Sequence, residues 1–289
     1  MKLALISDIH GNIEALDAVL ADIDRRAPRA TIVCAGDVVG YGPDPGECIQ
    51  RLRSRAIPTV MGNHDEMVLG RRDFSRCVYA GIIAARWTRQ HVAEDDLQFL
   101  EGLPAFVHVT PEVLVCHGTV DDADRYISDT ESAVSALELV RRRFPKSSVM
   151  VCGHTHHAAV YSKEFGFGHA ETESEFTLPH DSLCLINPGA VGQSRDGKSM
   201  ARYAVLDMET RQAGFFGVRY DHAATIDKLR RAGLVPLIDL QRPVGLARYA
   251  EAARKHWARF RYKSNPAISC NTRFRSHLYE VKWPDSYKG

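Results

Sequence analysis

Residues 3–12 read Leu3-Ala4-Leu5-Ile6-Ser7-Asp8-Ile9-His10-Gly11-Asn12. A short apolar run that stops at an acid, an imidazole and a glycine predicts a fully buried strand with chemistry at its end. Ile13 to Arg25 follows with Leu16, Val19, Leu20 and Ile23 on one helical face. Thr31 to Ala35 reads as a second strand. Pro45 to Arg55 reads as a helix with Cys48, Ile49 and Leu52 inward, and Ile57 to Met61 as a third strand. This βαβαβ opening predicts a parallel sheet with right-handed crossovers.

The middle of the chain is helical over Val78 to Arg89 and Glu94 to Leu100. Phe106 to Val109 and Val113 to Cys116, split by Thr110-Pro111-Glu112, read as a hairpin. A helix near Ser132 to Arg143 leads to a strand at Ser148 to Cys152. Thereafter β patterns dominate: Ala158 to Lys163, Ser182 to Ile186, Arg202 to Asp207 and Phe215 to Arg219, closed by a helix over Ala223 to Ala232. The front half is parallel α/β and the back half antiparallel, so the expected α/β fold is two packed mixed β-sheets flanked by helices. Glu164 to Asp181 carries Glu164, Glu171, Glu173, Glu175 and Asp181. It reads as a long hairpin tip, with a lid as the alternative.

The informative residues stand just after the predicted strands. The first ends in Asp8-Ile9-His10, the second in Gly36-Asp37 and the third in Gly62-Asn63-His64-Asp65. Later ones end in His117-Gly118 and Gly153-His154-Thr155-His156. Open α/β sheets bind ligands at this carboxyl edge. In an extended segment alternate side chains share a face, so Asp8 and His10, like His154 and His156, are expected to meet one ion together. Alone, an Asp-x-His is an ordinary surface turn, Asn63 a helix cap and His117 a core histidine. Five strand ends carrying such groups point to a metal centre. Carboxylate, amide and imidazole favour Mn, Fe or Zn over Ca or Mg, with Ni as a further alternative and Mn the first expectation.

Bulk composition is ordinary for a soluble globular protein. Of 289 residues, 45% are hydrophobic and 25% charged, enough for a sizeable core. No apolar run approaches the ~20 residues of a membrane helix. Asp8 arrives too soon for a signal-peptide core, which predicts a cytoplasmic protein without membrane contact. The seven cysteines form no Cys-x-x-Cys pair and read as reduced core thiols. Net charge is +1, but the residues from Pro243 onward hold 10 Lys+Arg against 3 Asp+Glu. We therefore expect a catalytic domain over 1–245 and a basic, aromatic extension over 246–289, with a helix at Ala247 to Arg261. Trp257, Phe260, Tyr262 and Phe274 lie among its basic residues. Such a tail contacts nucleic acid in one reading and packs on its own domain or a second subunit of a homo-oligomer in the other.

Taken in order, Asp-x-His, Gly-Asp, Gly-Asn-His-Asp, a lone His and Gly-His-x-His resemble the calcineurin-like metallophosphoesterase superfamily, from Ser7 to about Pro243. Ser7 to Asn12, Gly40 to Pro45 and Asn187 to Gln193 are similar to phrases of its small prokaryotic phosphodiesterase-like branch. The resemblance implies a four-layer αββα sandwich and two divalent ions per chain. One would take Asp8, His10 and His156, the other Asn63, His117 and His154, with Asp37 bridging. Ser/Thr protein phosphatases of the superfamily carry Gly-Asp-x-Val-Asp-Arg-Gly, whereas this chain reads Gly36-Asp37-Val38-Val39-Gly40-Tyr41. The second Asp and the Arg are absent.

The expected activity is hydrolysis of small phosphate esters, diesters first, by a metal-bridging hydroxide. Phosphomonoesters, dinucleoside polyphosphates, protein-phosphatase-like activity and a non-catalytic metal scaffold are the alternatives. His64, beside Asn63 but outside the ligand set, is expected to protonate the leaving group or to donate to a phosphoryl oxygen. Arg195, after a Pro-Gly turn that the resemblance brings near the site, suits a phosphate through its paired donors. Asn12 and Tyr41, beside ligand loops, are the remaining substrate-binding candidates.

Overall fold

The structure, a computed structural model, describes residues 1–234. The expected extension and its helix lie outside the described residues. Among the described residues eleven strands form two sheets. The first has the order β2-β1-β10-β11-β8, with β1 at Lys2–Ile6, β2 at Thr31–Cys34, β8 at Ser174–Thr177, β10 at Ala201–Asp207 and β11 at Gln212–Val218. The second has the order β3-β4-β5-β9-β6-β7, with β3 at Phe106–Thr110, β4 at Val113–Cys116, β5 at Val149–Val151, β6 at Ala159–Ser162, β7 at Gly166–His169 and β9 at Cys184–Asn187. Both sheets are mixed. β1 pairs β2 in parallel and β10 antiparallel, while β4, β5 and β9 run parallel beside antiparallel β3 and β6.

Strand alternation builds the layers. Leu3, Leu5 and Val33 meet Val113, Val115, Val149, Val151 and Ile186 between the sheets. The opposite faces take helices: Ala4 and Ile6 pack with Leu16, Val19 and Ile23 of α1 (Ile13–Arg26) and with Ile49 and Leu52 of α2 (Pro45–Ser54). Across the molecule, Leu114, Cys116, Met150 and Leu185 cover Ala133, Leu137 and Val140 of α6 (Thr130–Arg143). The expected αββα sandwich follows, because strands buried on both faces need apolar residues at every position.

Between β2 and β3 lie α3 (Asn63–Val68), α4 (Tyr79–His91) and α5 (Glu94–Glu101), and α7 (His222–Arg231) follows β11. The six described cysteines are free and buried, as core thiols should be. Among the described residues no helix is long and apolar enough to cross a membrane.

Two expectations change. Ile57 to Met61 is no full strand. It touches β2 through a single bridge between Cys34 and Thr59, in which Cys34 donates to Pro58 O and accepts from the Val60 N–H, and Pro58 has no N–H with which to extend the ladder. Glu164 to Asp181 is neither a long hairpin tip nor a lid. Its β7 closes a tight hairpin on β6, and its β8 joins β11 in the other sheet. The chain thus crosses between sheets there. The sheets are mixed as expected, with β10 of the back half lying directly beside β1.

Candidate active site

The carboxyl ends of β1, β2, β4 and β5 converge where the two sheets meet. Asp8, His10, Asp37, Asn63, His64, His117, His154 and His156 are all buried there. Two groups have ligand atoms within 4.8 Å of one another: Asp8, His10, Asp37 and His156, and Asp37, His117 and His154. Asn63 joins the second group, its Oδ1 being 3.1 Å from His117 Nε2. The convergence does not come from the extended alternation expected of Asp-x-His. Asp8, His10, Asp37, His154 and His156 have φ of 53°, 49°, 54°, 67° and 63°, the left-handed region. Non-glycine residues occupy it at a cost of about 1–3 kcal/mol each, and such strain persists where surrounding contacts enforce it.

Those contacts are visible. The N–H groups of Asp8, His10 and Gly11 bond the carbonyls of Gly36, Asp37 and Val38, tying the first ligand turn to the second. The His154 N–H faces both Asp8 oxygens at 3.2 and 3.1 Å. Asn187 Nδ2 donates to Gly153 O at 2.7 Å and Thr155 Oγ1 at 3.0 Å, bracing the last motif from β9. The N–H groups of Val191 and Gly192 bond Ser7 O and Asp8 O, so the turn after β9 also clasps the first motif. Gly153 allows this closeness, since a Cβ there would lie 2.8 Å from Asp8 Oδ2 and strike Ser7.

The donor atoms fit a cation. Nδ1 of His10, His117 and His156 stands 3.2, 2.7 and 2.5 Å from the carbonyls of Val39, Ala35 and Gln193. A carbonyl only accepts, so each Nδ1 carries a proton and each Nε2 is the nitrogen that faces the cluster. In their neutral form, His10 Nε2 and His156 Nε2 point lone pairs at each other across 3.1 Å. Asp37 Oδ2 and His154 Nε2 are buried without hydrogen-bond partners among the described residues. Cations held by the two groups would meet these atoms, His10, His156 and Asp37 in one group and Asp37 and His154 in the other.

Electrostatics agree. Burial holds His10 at about 3 and His154 at about 2, so both rings are the neutral, ligating form. Burial, aided by the Arg195 charge, keeps His156 well below its ordinary value. Burial also pushes Asp8 up to about 7. Burial works against a charged His117 too, but Asp37 and Asp8 outweigh it and hold the ring at about 10. The pocket therefore draws positive charge toward its buried carboxylates.

His64 donates its backbone N–H to Asp37 Oδ1 at 2.8 Å, while its Nδ1 has no partner among the described residues. Its ring packs on His10 and Tyr41, with centroids 4.9 and 4.6 Å apart. Burial lowers its pKa to about 4. Tyr41 is buried, with a left-handed φ of 56°, and its ring packs against both His10 and His64. Arg195 reaches Tyr126 Oη and Gln193 Oε1 at 3.3 and 3.4 Å. Asn12, a substrate-binding expectation, is engaged within the protein. Its Oδ1 caps α1 through Ala15 N and accepts from Thr225, and its Nδ2 donates to Gly192 O and Tyr220 Oη. An amide so engaged has little left for substrate.

Further residues also line the cluster. Asp65 bonds the amides of Val39 and Gly62. Tyr126 stacks on His154 with centroids 4.2 Å apart, and Asp124 lies 3.5 Å from His154 Nε2. Asp65 belongs to the Gly-Asn-His-Asp motif, whereas Asp124 and Tyr126 follow no strand directly, so strand-end logic passes over them.

Comparison with known proteins agrees with this architecture. Residues 1–211 match the calcineurin-like phosphoesterase superfamily domain. An uncharacterized protein of Methanocaldococcus jannaschii is 34% identical over 230 residues, covering 78% of this chain and 91% of that protein. The crystal structure of a metallophosphoesterase from Sphaerobacter thermophilus superposes with a TM-score of 0.68 at 30% identity, covering 89% of this chain and 99% of that one. A symmetrical bis(5'-nucleosyl)-tetraphosphatase of Pectobacterium carotovorum is 36% identical over 84 residues, 28% of this chain and 27% of that protein. With its domain match, its sandwich and its buried donor cluster, the chain belongs to the calcineurin-like phosphoesterase superfamily and is a phosphoester hydrolase.

Proposed function

We propose that the chain is a binuclear-metal phosphodiesterase acting on small phosphate esters. The observation that carries this reading is the double membership of Asp37, common to the group with Asp8, His10 and His156 and to the group with His117 and His154. One carboxylate shared by two donor sets suits a pair of neighbouring divalent ions, Mn first, better than two separate sites. When bound, the ions would lower the pKa of a shared water and neutralise charge on the phosphate.

The chain's own residues do the rest. Asp37 holds the two donor sets together and fixes the His64 backbone. His64, neutral because it is buried, keeps one N–H to offer a phosphoryl oxygen. Protonating a leaving alkoxide additionally requires the bound phosphate to raise the pKa of this ring. Arg195 supplies paired donors to the same phosphate, and Tyr41 steadies the His10 and His64 rings by packing against both. The short match to a bis(5'-nucleosyl)-tetraphosphatase supports a second reading, nucleotide polyphosphates as substrates.

The test uses metal-stripped protein restored with Mn, Fe, Zn or Ni singly and assayed on bis-nitrophenyl phosphate, nitrophenyl phosphate and a dinucleoside polyphosphate. The reading expects diester turnover to return with about two ions bound per chain. Turnover of the monoester alone, or full activity with one ion, would sink it.

A further inference from the structure

The loop after β4 returns one carboxylate to the metal-facing cluster. Asp124 is buried, and its Oδ1 accepts from Asn63 Nδ2 at 3.4 Å. The same oxygen lies 3.5 Å from His154 Nε2. Its Oδ2 faces away, 3.1 Å from Arg76 Nε and 3.8 Å from Arg72 Nη1. Both arginines come from the segment between α3 and α4 and are held in turn by Asp122, while Arg72 also pairs with Glu66. Asp124 is thus clamped from behind, and its other oxygen is aimed at Asn63.

This matters because a carboxamide has two unlike ends. Its oxygen can ligate a cation, whereas its NH2 group carries partial positive charge and cannot. Nothing in the shape of Asn63 distinguishes them. We propose that Asp124 is a positioning residue that selects the ligating end of Asn63. By accepting the amide N–H it turns Asn63 Oδ1 toward His117 Nε2, 3.1 Å away, and so toward the Asp37–His117–His154 group. Arg72 and Arg76 keep the carboxylate in register. The inference rests on the binuclear reading above.

The experiment titrates Mn(II) calorimetrically into metal-stripped full-length protein, wild type, D124A and D124N, with melting curves to verify folding. Removing an outer partner of a metal ligand typically costs 10–100-fold in affinity. D124A should lose that factor, about 10–100-fold, at one of two sites and leave the other unchanged. D124N retains an acceptor oxygen and should recover most of the loss. If D124A does not fold, D124S removes the same reach while keeping a polar group in place. Wild-type affinity at both sites in D124A would overturn the proposal. Equal loss in D124N and D124A would also overturn it, because charge rather than amide orientation would then be the agent. A wild-type protein that takes up a single ion refutes the binuclear reading instead, a result visible before any variant is compared.

Discussion

Asp65 Oδ1 accepts the backbone N–H of Val39 at 3.1 Å, and its Oδ2 accepts that of Gly62 at 2.9 Å. One buried carboxylate therefore straps the turn that carries Asp37 to the start of α3, which carries Asn63 and His64. The two turns come from different loops, and each oxygen of this one side chain holds a backbone amide of one of them.

D65A should leave two buried amides without partners, at about 1–3 kcal/mol each, and let the turns separate. Melting temperature should fall, and metal affinity should drop by about 10–100-fold as the donors lose their register. D65N can accept with one oxygen only and should fall between. Chelator competition monitors the affinity. A D65A protein that melts lower but binds metal normally would reduce Asp65 to a purely structural strap.

Much of this fold is legible in the chain because buried strands have a simple signature. Leu3 to Ile6 needs apolar residues on both faces, and the strand ends mark themselves by abrupt acids, imidazoles and glycines. Ile57 to Met61 misleads, since Pro58 is apolar and strand-like in pattern yet limits pairing to a bridge. β7 and β8 are hidden because glycine and exposed glutamates mask their alternation. At the site, residue identities are legible but their geometry is not. Spacing suggests extended Asp-x-His pairs, whereas tertiary hydrogen bonds hold Asp8 and His10 in left-handed turns. Asp124 meets Asn63 across 61 positions, so no local pattern could join them.

A stability prediction concerns the outer face of the first sheet. Tyr203 Oη donates to Asp22 Oδ2 at 2.7 Å, linking β10 to α1. Partial burial works against the Asp22 charge, but the Tyr203 hydroxyl, Arg25 and Arg26 outweigh it and hold the carboxyl below its ordinary value. A depressed folded pKa means stabilisation that is present above the unfolded value, ~3.9, and lost as pH falls through the folded one. Y203F keeps the ring stacked on Phe216 and removes only the hydrogen bond. It should cost about 1.5–3 kcal/mol at neutral pH, shrinking below about pH 4. Denaturant melts of both proteins at pH 7 and pH 3 measure this. A cost that does not change with pH would show that Asp22 is not the responsible partner.

Asp37 and Asp8 should differ in how many ions they serve. Asp37 belongs to both donor groups and Asp8 to one. D37N should therefore weaken both ions, and D8N chiefly the ion shared with His10 and His156. The carboxamide oxygen introduced by D37N could still accept the His64 N–H, so the fold should survive. Elemental analysis after dialysis against graded chelator gives the count. Retention of one tightly held ion in D37N would end the bridging assignment.

His64 offers the sharpest separation of chemistry from structure. Its contact with Asp37 is made by the backbone N–H, which alanine retains, so H64A should keep both metal groups intact. The lost imidazole N–H should lower kcat by about 10²–10⁴-fold for esters with poor, alkoxide leaving groups. Nitrophenolate leaves without help, so nitrophenyl esters should suffer less. Burial, which holds the ring at about 4 in the substrate-free protein, makes the contrast informative. A proton donor needs the incoming phosphate to raise that value, whereas a hydrogen-bond donor to a phosphoryl oxygen works as the neutral ring. Measuring kcat and kcat/KM for wild type and H64A across leaving groups of graded pKa distinguishes the two. A difference that grows with leaving-group pKa identifies a general acid. Equal losses across the series would confine His64 to stabilising charge on the phosphoryl oxygens, with the leaving group protonated from elsewhere.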